Sequence, residues 1–166
     1  MVTRSQRMAV WACLALFVTL GAGCGGAGRG KEGTQAGRLT VSVRLLSPAG
    51  CPVVLPQATV EATGESLLVR LTVESNTRDV VDSLSVECAV VDAAAPVQLP
   101  LAAPTMHVLD GRLESGERAE RCFSIPMPSP AETGGVTPDS LGVVIEPVNV
   151  FFPGDRGWER PVAVPQ

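Results

Sequence analysis

Apolar and polar residues alternate along several segments of this chain, which is the pattern of a β-strand with one buried face. The clearest alternation covers residues 67–74, and a second covers residues 84–90. Residues 75–79 between them are Ser-Asn-Thr-Arg-Asp, a composition typical of a turn. The pattern therefore predicts an antiparallel hairpin with one face on a core.

Shorter alternating runs precede and follow this pair, and prolines and glycines separate them. Pro96, Pro100 and Pro104 predict a loop, because proline cannot donate to a central ladder, and Asp110-Gly111 predicts a tight turn. No segment after Cys24 keeps the period of a helix. We therefore predict an all-β fold, an antiparallel sandwich of about seven strands. The further predicted strands cover residues 39–45, 57–63, 105–109, 118–125 and 141–145.

A local motif adds a resemblance to this pattern. Leu113-Glu114-Ser115-Gly116-Glu117 precedes a strand over residues 118–125 that places Phe123 and Ile125 on one face. This turn looks like the one that enters a late strand in Ig-like and fibronectin-like modules of bacterial surface proteins. The resemblance covers Ser66 to Met127 and implies an Ig-like order of the strands.

The first residues of the chain have the three regions of an export signal. Arg4 and Arg7 precede an apolar run over residues 8–20, and Gly21-Ala22-Gly23-Cys24 follows it. The apolar run is shorter than the roughly 20 residues that span a bilayer. The order of these regions predicts export from the cytoplasm.

Leu20-Gly21-Ala22-Gly23-Cys24 resembles the lipobox of bacterial lipoproteins. The resemblance implies removal of residues 1–23 and a diacylglyceryl group on the sulfur of Cys24, which becomes an acylated first residue. Gly25, rather than Asp, resembles lipoproteins that are sent to the outer membrane, so the expected address is its periplasmic face. An ordinary secretory signal or an uncleaved anchor is the alternative.

Composition divides the rest of the chain into three parts. Residues 24–37 contain six glycines and no large apolar residue, which predicts a flexible tether with a reach of roughly 20 Å. Residues 38–152 form the predicted sandwich, and residues 153–166 are a proline-rich tail predicted to be irregular. The aromatic residues near this tail have two interpretations, a plug at one end of the sandwich or an exposed anchor for a partner. They are Phe151, Phe152 and Trp158.

The charge balance excludes one class of partner. Without Arg4 and Arg7, eleven basic residues remain against seventeen acidic ones, and no Lys/Arg cluster occurs. Nucleic acids need a basic face that neutralises phosphates. We therefore expect no nucleic-acid partner.

Three cysteines remain in the predicted domain, Cys51, Cys88 and Cys122, and three thiols cannot all pair within one chain. Since an Ig-like order makes their strands neighbours, a Cys88–Cys122 disulfide is the first expectation. Cys88 falls on the apolar face of its strand and Cys122 on the polar face, which opposes that pairing. A bridge from Cys51 to either partner is the second expectation, and no bridge is the third.

Candidate chemistry centres on His107, the one histidine of the chain. A hydrolase would need it beside a serine or Cys51, and no serine lies in a nucleophile elbow. A set of four residues supplies the ligand types that suit copper, but a blue-copper centre needs two histidines. No cofactor is predicted. The copper set is Met106, His107, Cys122 and Met127.

Three functions remain in order of preference. The first is a non-enzymatic lipoprotein of the envelope that binds or supports another protein, with exposed strand edges available for β-augmentation. The second is a periplasmic carrier of a ligand or of copper. The third is a hydrolase that uses His107.

Overall fold

The computed structural model describes residues 40–161. The expected signal, Cys24 and the whole of the glycine-rich tether lie outside the described residues, as do the last five residues of the predicted tail. The described part of the chain forms eight strands and a single turn of α-helix, followed by a 3-10 turn over Pro138–Ser140. The strands are β1 Thr40–Leu45, β2 Val53–Thr63, β3 Ser66–Ser75, β4 Val81–Asp92, β5 Thr105–Leu113, β6 Arg118–Pro126, β7 Leu141–Phe152 and β8 Arg156–Glu159, and the helix α1 is Pro130–Thr133.

Strand β1 belongs to both sheets of the fold. Thr40 and Val41 pair antiparallel with β2, and residues 42–45 pair parallel with β7. Sheet A therefore runs β1-β2-β3-β6, and sheet B runs β1-β7-β4-β5. The result is one nearly closed, barrel-like sheet whose two end strands are β5 and β6.

Gly142 permits the close approach of β1 to β7. A Cβ atom at this position would lie 2.9 Å from the hydroxyl oxygen of Ser42 and 3.1 Å from the Cβ of Ala93. Such distances are shorter than van der Waals contact, so a side chain here would force the Ser42 hydroxyl to rotate away and Ala93 to shift by a few tenths of an ångström. A glycine in a strand interior often marks a close backbone approach of this kind.

The core lies between the two sheets and consists mainly of valine and leucine. Alternate residues of β3 and β4 face it, as the period-two pattern predicts, and each is 6% exposed or less. Branched side chains fit such a pleated surface, so the core forms with few aromatic residues. The alternating core residues of these two strands are Leu67, Val69, Leu71, Val73, Leu84, Val86, Cys88 and Val90, and Val81 at the start of β4 also belongs to the core.

The predicted all-β sandwich of about seven strands is confirmed. Its strand order differs from that of immunoglobulin constant domains, in which the second and third strands lie in opposite sheets. Here β2 and β3 are hydrogen-bonded neighbours over most of their length. The sandwich is therefore built on consecutive pairing in sheet A.

The predicted hairpin of residues 67–74 and 84–90 is wrong. β3 pairs with β2 and β6 in sheet A, whereas β4 pairs with β5 and β7 in sheet B. Residues 76–80 cross from one sheet to the other. A hairpin within one sheet and two strands in facing sheets bury the same alternate residues. The alternation therefore identifies the buried face of each strand but not the strand that it pairs with.

The predicted turn at Asp110-Gly111 is also wrong, because β5 continues to Leu113. Between the pairs Ser83–Asp110 and Val81–Leu113, β5 has one more residue than β4, which defines a bulge. Gly111 has φ 123°, a conformation that side chains rarely adopt. The Asp-Gly pair therefore bends a strand instead of ending it.

The tail forms a strand that sequence composition did not predict. β8 pairs antiparallel with residues 149–152 of β7. It lies on the same edge of β7 as β1, which pairs with residues 142–145. The ordered fold thus continues past the expected boundary at residue 152. Sequence reasoning missed this strand because it has only four residues, Arg-Gly-Trp-Glu.

The strand directions give the sandwich two distinct ends. The entry end contains Thr40, where the described chain begins, together with the loops at residues 64–65, 93–104 and 127–140. The far end contains the β7–β8 turn and the loop between β5 and β6. Within residues 40–161 no helix has the length and apolarity needed to span a membrane.

Substituting Gly111 tests the bulge. We expect G111A to lower the free energy of unfolding by roughly 3 kcal/mol, because φ 123° is a strained conformation for alanine. The new Cβ would also lie 2.7 Å from the Arg121 guanidinium, which can move aside with the loss of its hydrogen bond to the Gly111 carbonyl oxygen. G64A is the control, since Gly64 has φ 62° and open space around it, and it should cost roughly 1 kcal/mol. Urea denaturation measures both free energies, and equal losses would contradict the special backbone strain of the bulge at Gly111.

Candidate functional surface

The three thiols of the described domain are free and lie in different environments. Cys51 precedes β2 at the far end and is partly buried, and burial raises its pKa. Cys88 is 1% exposed on the core face of β4. Burial, together with the nearby charge of Glu87, raises the pKa of Cys88 to about 12. Cys122 is exposed on the outer face of β6.

The structure does not bring Cys88 and Cys122 together. Cys88 is opposite Thr105 and Ile145 in sheet B, and Cys122 is opposite Arg70 in sheet A. The expected disulfide rested on neighbouring strands, and these strands are not neighbours. The opposite faces of the two cysteines, already visible in the sequence, agree with this placement.

His107 lies on the inner side of β5, where β5 faces β6. Its Nε2 is 2.9 Å from the hydroxyl of Thr105, and its ring centroid is 4.6 Å from that of Phe123. Burial lowers its pKa. The histidine therefore contributes to packing between the two end strands, while Cys51, the thiol considered for catalysis, lies at the far end before β2.

The four residues of the copper set are also separated. Met106 is 51% exposed on the outer face of β5, and Cys122 is on the outer face of β6. His107 faces inward, and Met127 packs against the core. Among residues 40–161 no cluster of three or more His, Cys, Asp or Glu side chains has the spacing of a metal site.

One small cleft does bring a thiol and a thioether to the same place. It has a volume of about 200 Å³ at the entry end, and Cys88, Thr105, Ile125, Met127 and Glu132 are among its lining residues. This pair of sulfur atoms differs from the predicted set, because Cys88 replaces Cys122. Sequence reasoning missed it because Cys88 and Met127 belong to different sheets.

The edges of β5 and β6 face each other instead of solvent. The guanidinium of Arg121 donates a hydrogen bond of 3.0 Å to the carbonyl oxygen of Gly111 across this seam, and the His107–Phe123 contact lies beside it. A peptide strand that added to either edge would have to displace these contacts. The expectation of open edges for β-augmentation is therefore weakened for both end strands.

The outer face of sheet B exposes three large apolar side chains. Val108 is 63% exposed, Met106 51% and Phe151 43%. In the strand register, Ser85 lies opposite Val108, and Ser83 lies opposite Phe151. These apolar side chains form a surface that is called here the outer apolar face. Ser85 beneath them is only 4% exposed, so the exposed area of this face belongs mainly to the apolar groups.

Arg160 holds the tail onto the same face. Glu87 and Glu146 are directly opposite each other on β4 and β7, an arrangement that destabilises a sheet when both are charged. The guanidinium of Arg160 lies 2.6 Å from Glu146 and 3.3 Å from Glu87. Burial opposes the charge of Arg160, but its hydrogen bonds to both carboxylates outweigh this and raise its pKa.

The aromatic residues near the tail divide between the two interpretations. Phe152 and Trp158 are partly buried and pack against the core, with the Arg156 guanidinium 5.8 Å from the Phe152 ring centroid. They act as a plug at the far end. Phe151 points to the opposite side and belongs to the outer apolar face.

Comparisons of the chain with protein-family models, with curated proteins and with solved structures each found no match.

The titration of Cys88 should appear in the pH dependence of stability. Folding raises the pKa of this thiol from its usual value near 9 to about 12, so the folded state binds more protons than the unfolded state in this range. Stability should therefore fall as pH rises above about 9. The chain has no tyrosine and a single lysine, so few other groups titrate there.

Urea denaturation under reducing conditions at pH 8 to 11 measures this effect. We expect C88S to remove most of the decline, with a smaller part left to Cys51, whose pKa is also raised. C122S is the matched control and should keep the wild-type slope, since Cys122 is exposed. An unchanged slope in C88S would refute the assignment.

Removing the charge of Arg160 tests the ion pairs that join the tail to Glu87 and Glu146. We expect R160Q to lower the free energy of unfolding by about 1–2 kcal/mol, because Glu87 and Glu146 are then left opposed without a cation. The same change in an E87Q/E146Q background should cost much less, and high salt should reduce the loss in the R160Q single variant. Equal losses in both backgrounds would show that Arg160 acts by packing alone.

Proposed function

We propose that this chain is a lipoprotein of the bacterial envelope, anchored through an acylated Cys24 on the periplasmic face of the outer membrane. Its β-sandwich acts without catalysis and binds or supports another protein of the envelope. The proposal combines the expected anchor with a stable scaffold that presents one accessible apolar face.

The anchor is supported by the sequence around Cys24. Basic residues, an apolar run and small residues precede the cysteine in the order of an export signal, and glycines follow it. One acyl chain gives only marginal membrane binding, so stable anchoring favours the multiply acylated terminus that lipoproteins carry.

The single observation that supports protein binding is the outer apolar face. Met106, Val108 and Phe151 are exposed on one side of sheet B, where the sheet below them is fixed by β4 and β7. Exposed apolar groups on a rigid surface are typical of interaction sites. The placement of His107 in the packing of the β5–β6 seam favours a binding role over hydrolysis.

Crosslinking and capture from membranes test this function. Intact-mass analysis of the membrane fraction should find a diacylglyceryl group on Cys24, and C24S should release the protein from the membrane. A reproducible partner should be captured with the wild-type chain and lost with V108R, because a charged side chain would then occupy the outer apolar face.

S124R is the control variant for the capture. Ser124 is exposed on β6, on the outer side of sheet A, so this substitution adds the same charge away from the proposed surface. Circular dichroism should show both variants folded. An unmodified Cys24, or equal capture by wild type and V108R, would contradict the proposal.

A further inference from the structure

The loop between β4 and β5 is the most apolar exposed segment of the described chain. Residues 93–104 contain no charged residue, and Gln98 is their one polar side chain. Val97 is 67% exposed and Leu99 is 69% exposed. Leaving two such side chains in water is unfavourable, so a surface that covers them would bind here.

The body of the sandwich holds this loop in place. The amide of Ala93 donates to the carbonyl oxygen of Ser140 at 2.8 Å, and the amide of Leu101 donates to that of Val90 at 2.8 Å. Pro100 also forms a bridge with Val91. Because both sides of the loop are fixed, Val97 and Leu99 stay at its tip instead of folding back onto the core.

The topology places this tip at the entry end. Asp92 at the end of β4 pairs with Leu141 at the start of β7, and β1 begins beside them, with Ser42 opposite Gly142. The chain that leads to Cys24 therefore joins the sandwich at the end that carries the exposed loop.

The length of that connecting chain limits how far this end can move from its anchor. Thr40 lies sixteen residues after Cys24, so the connection can span at most roughly 55 Å. Tethering over such distances produces effective concentrations in the millimolar range. The burial of Val97 and Leu99 then has to orient a domain that is already held near the membrane, instead of capturing it from solution.

We propose that the entry end docks on the lipid bilayer, with Val97 and Leu99 inserted at the membrane interface. The docking rests on the proposed acylation of Cys24, which supplies the tether. The outer apolar face lies on the side of the sandwich, so it stays accessible to a protein partner while the domain is docked.

The charges of the entry end determine the kind of lipid. The loops that the structure describes at this end contain no lysine or arginine, and their charged side chains are the three carboxylates Glu65, Glu132 and Asp139. Anionic headgroups would repel these groups. The occupant is therefore a surface of zwitterionic lipid such as phosphatidylethanolamine, in contrast to the basic surfaces that bind acidic lipids.

A tryptophan at the loop tip reports insertion directly. The acylated full-length protein is reconstituted in vesicles of phosphatidylethanolamine and phosphatidylcholine with brominated acyl chains, which quench a nearby indole. We use L99W in a W158F background, because Trp158 is the other indole of the processed chain. Fluorescence of L99W/W158F should be at least twofold lower in brominated vesicles than in the same vesicles without bromine. A further V97D substitution should restore most of this fluorescence, and so should the inclusion of phosphatidylglycerol in the vesicles.

V108W/W158F is the matched control, because Val108 is equally exposed but lies on the outer apolar face. Its fluorescence should not change. The acylation of Cys24 is first verified by mass. If both variants are then quenched equally, or neither is quenched, the docking proposal is overturned and the proposed function is not affected. An unmodified Cys24 overturns the proposed function and the docking with it. A crosslink between position 97 and another protein, together with no quenching at position 99, would assign the loop to a protein partner. That result would also overturn the lipid docking.

Discussion

The fold depends on the double pairing of β1. This six-residue strand is antiparallel to β2 at its start and parallel to β7 along the rest, so it joins sheet A to sheet B without a loop. At this transition Gly142 leaves room for the Ser42 side chain. Without this shared strand, the sandwich would have two more unpaired edges, and the valine-rich core would lose its closed side.

The alternation of apolar residues was sufficient to predict the class and the buried faces, but not the order of the strands. The core residues of β3 and those of β4 from Leu84 to Val90 follow from parity, whereas Val81 lies beyond the bulge and is out of phase with them. Parity does not identify the strands that pair with β3. Two strands with this pattern bury the same residues whether they are hydrogen-bonded neighbours in one sheet or face each other from opposite sheets. Asp110-Gly111 shows a second limit, since a glycine with positive φ serves a bulge as well as a turn.

The candidate sites were predictable only in part, and for similar reasons. The opposite parity of Cys88 and Cys122 was present in the sequence, and it argued against the bridge that an Ig-like order favoured. His107 gave no sign of its contact with Phe123, because that contact joins the two ends of the sheet. Arg160 was equally hidden, since its role depends on Glu87 and Glu146 becoming opposite neighbours.

The sharing of one β7 edge by β1 and β8 has a consequence for handling and turnover of the protein. β8 covers the backbone groups of residues 149–152. A protease that clipped the turn at residues 153–155 would loosen that cover and leave a short apolar ribbon, Asn-Val-Phe-Phe, with open amides and carbonyls. Such a ribbon is a template for intermolecular strand pairing, so the tail also protects the protein against aggregation.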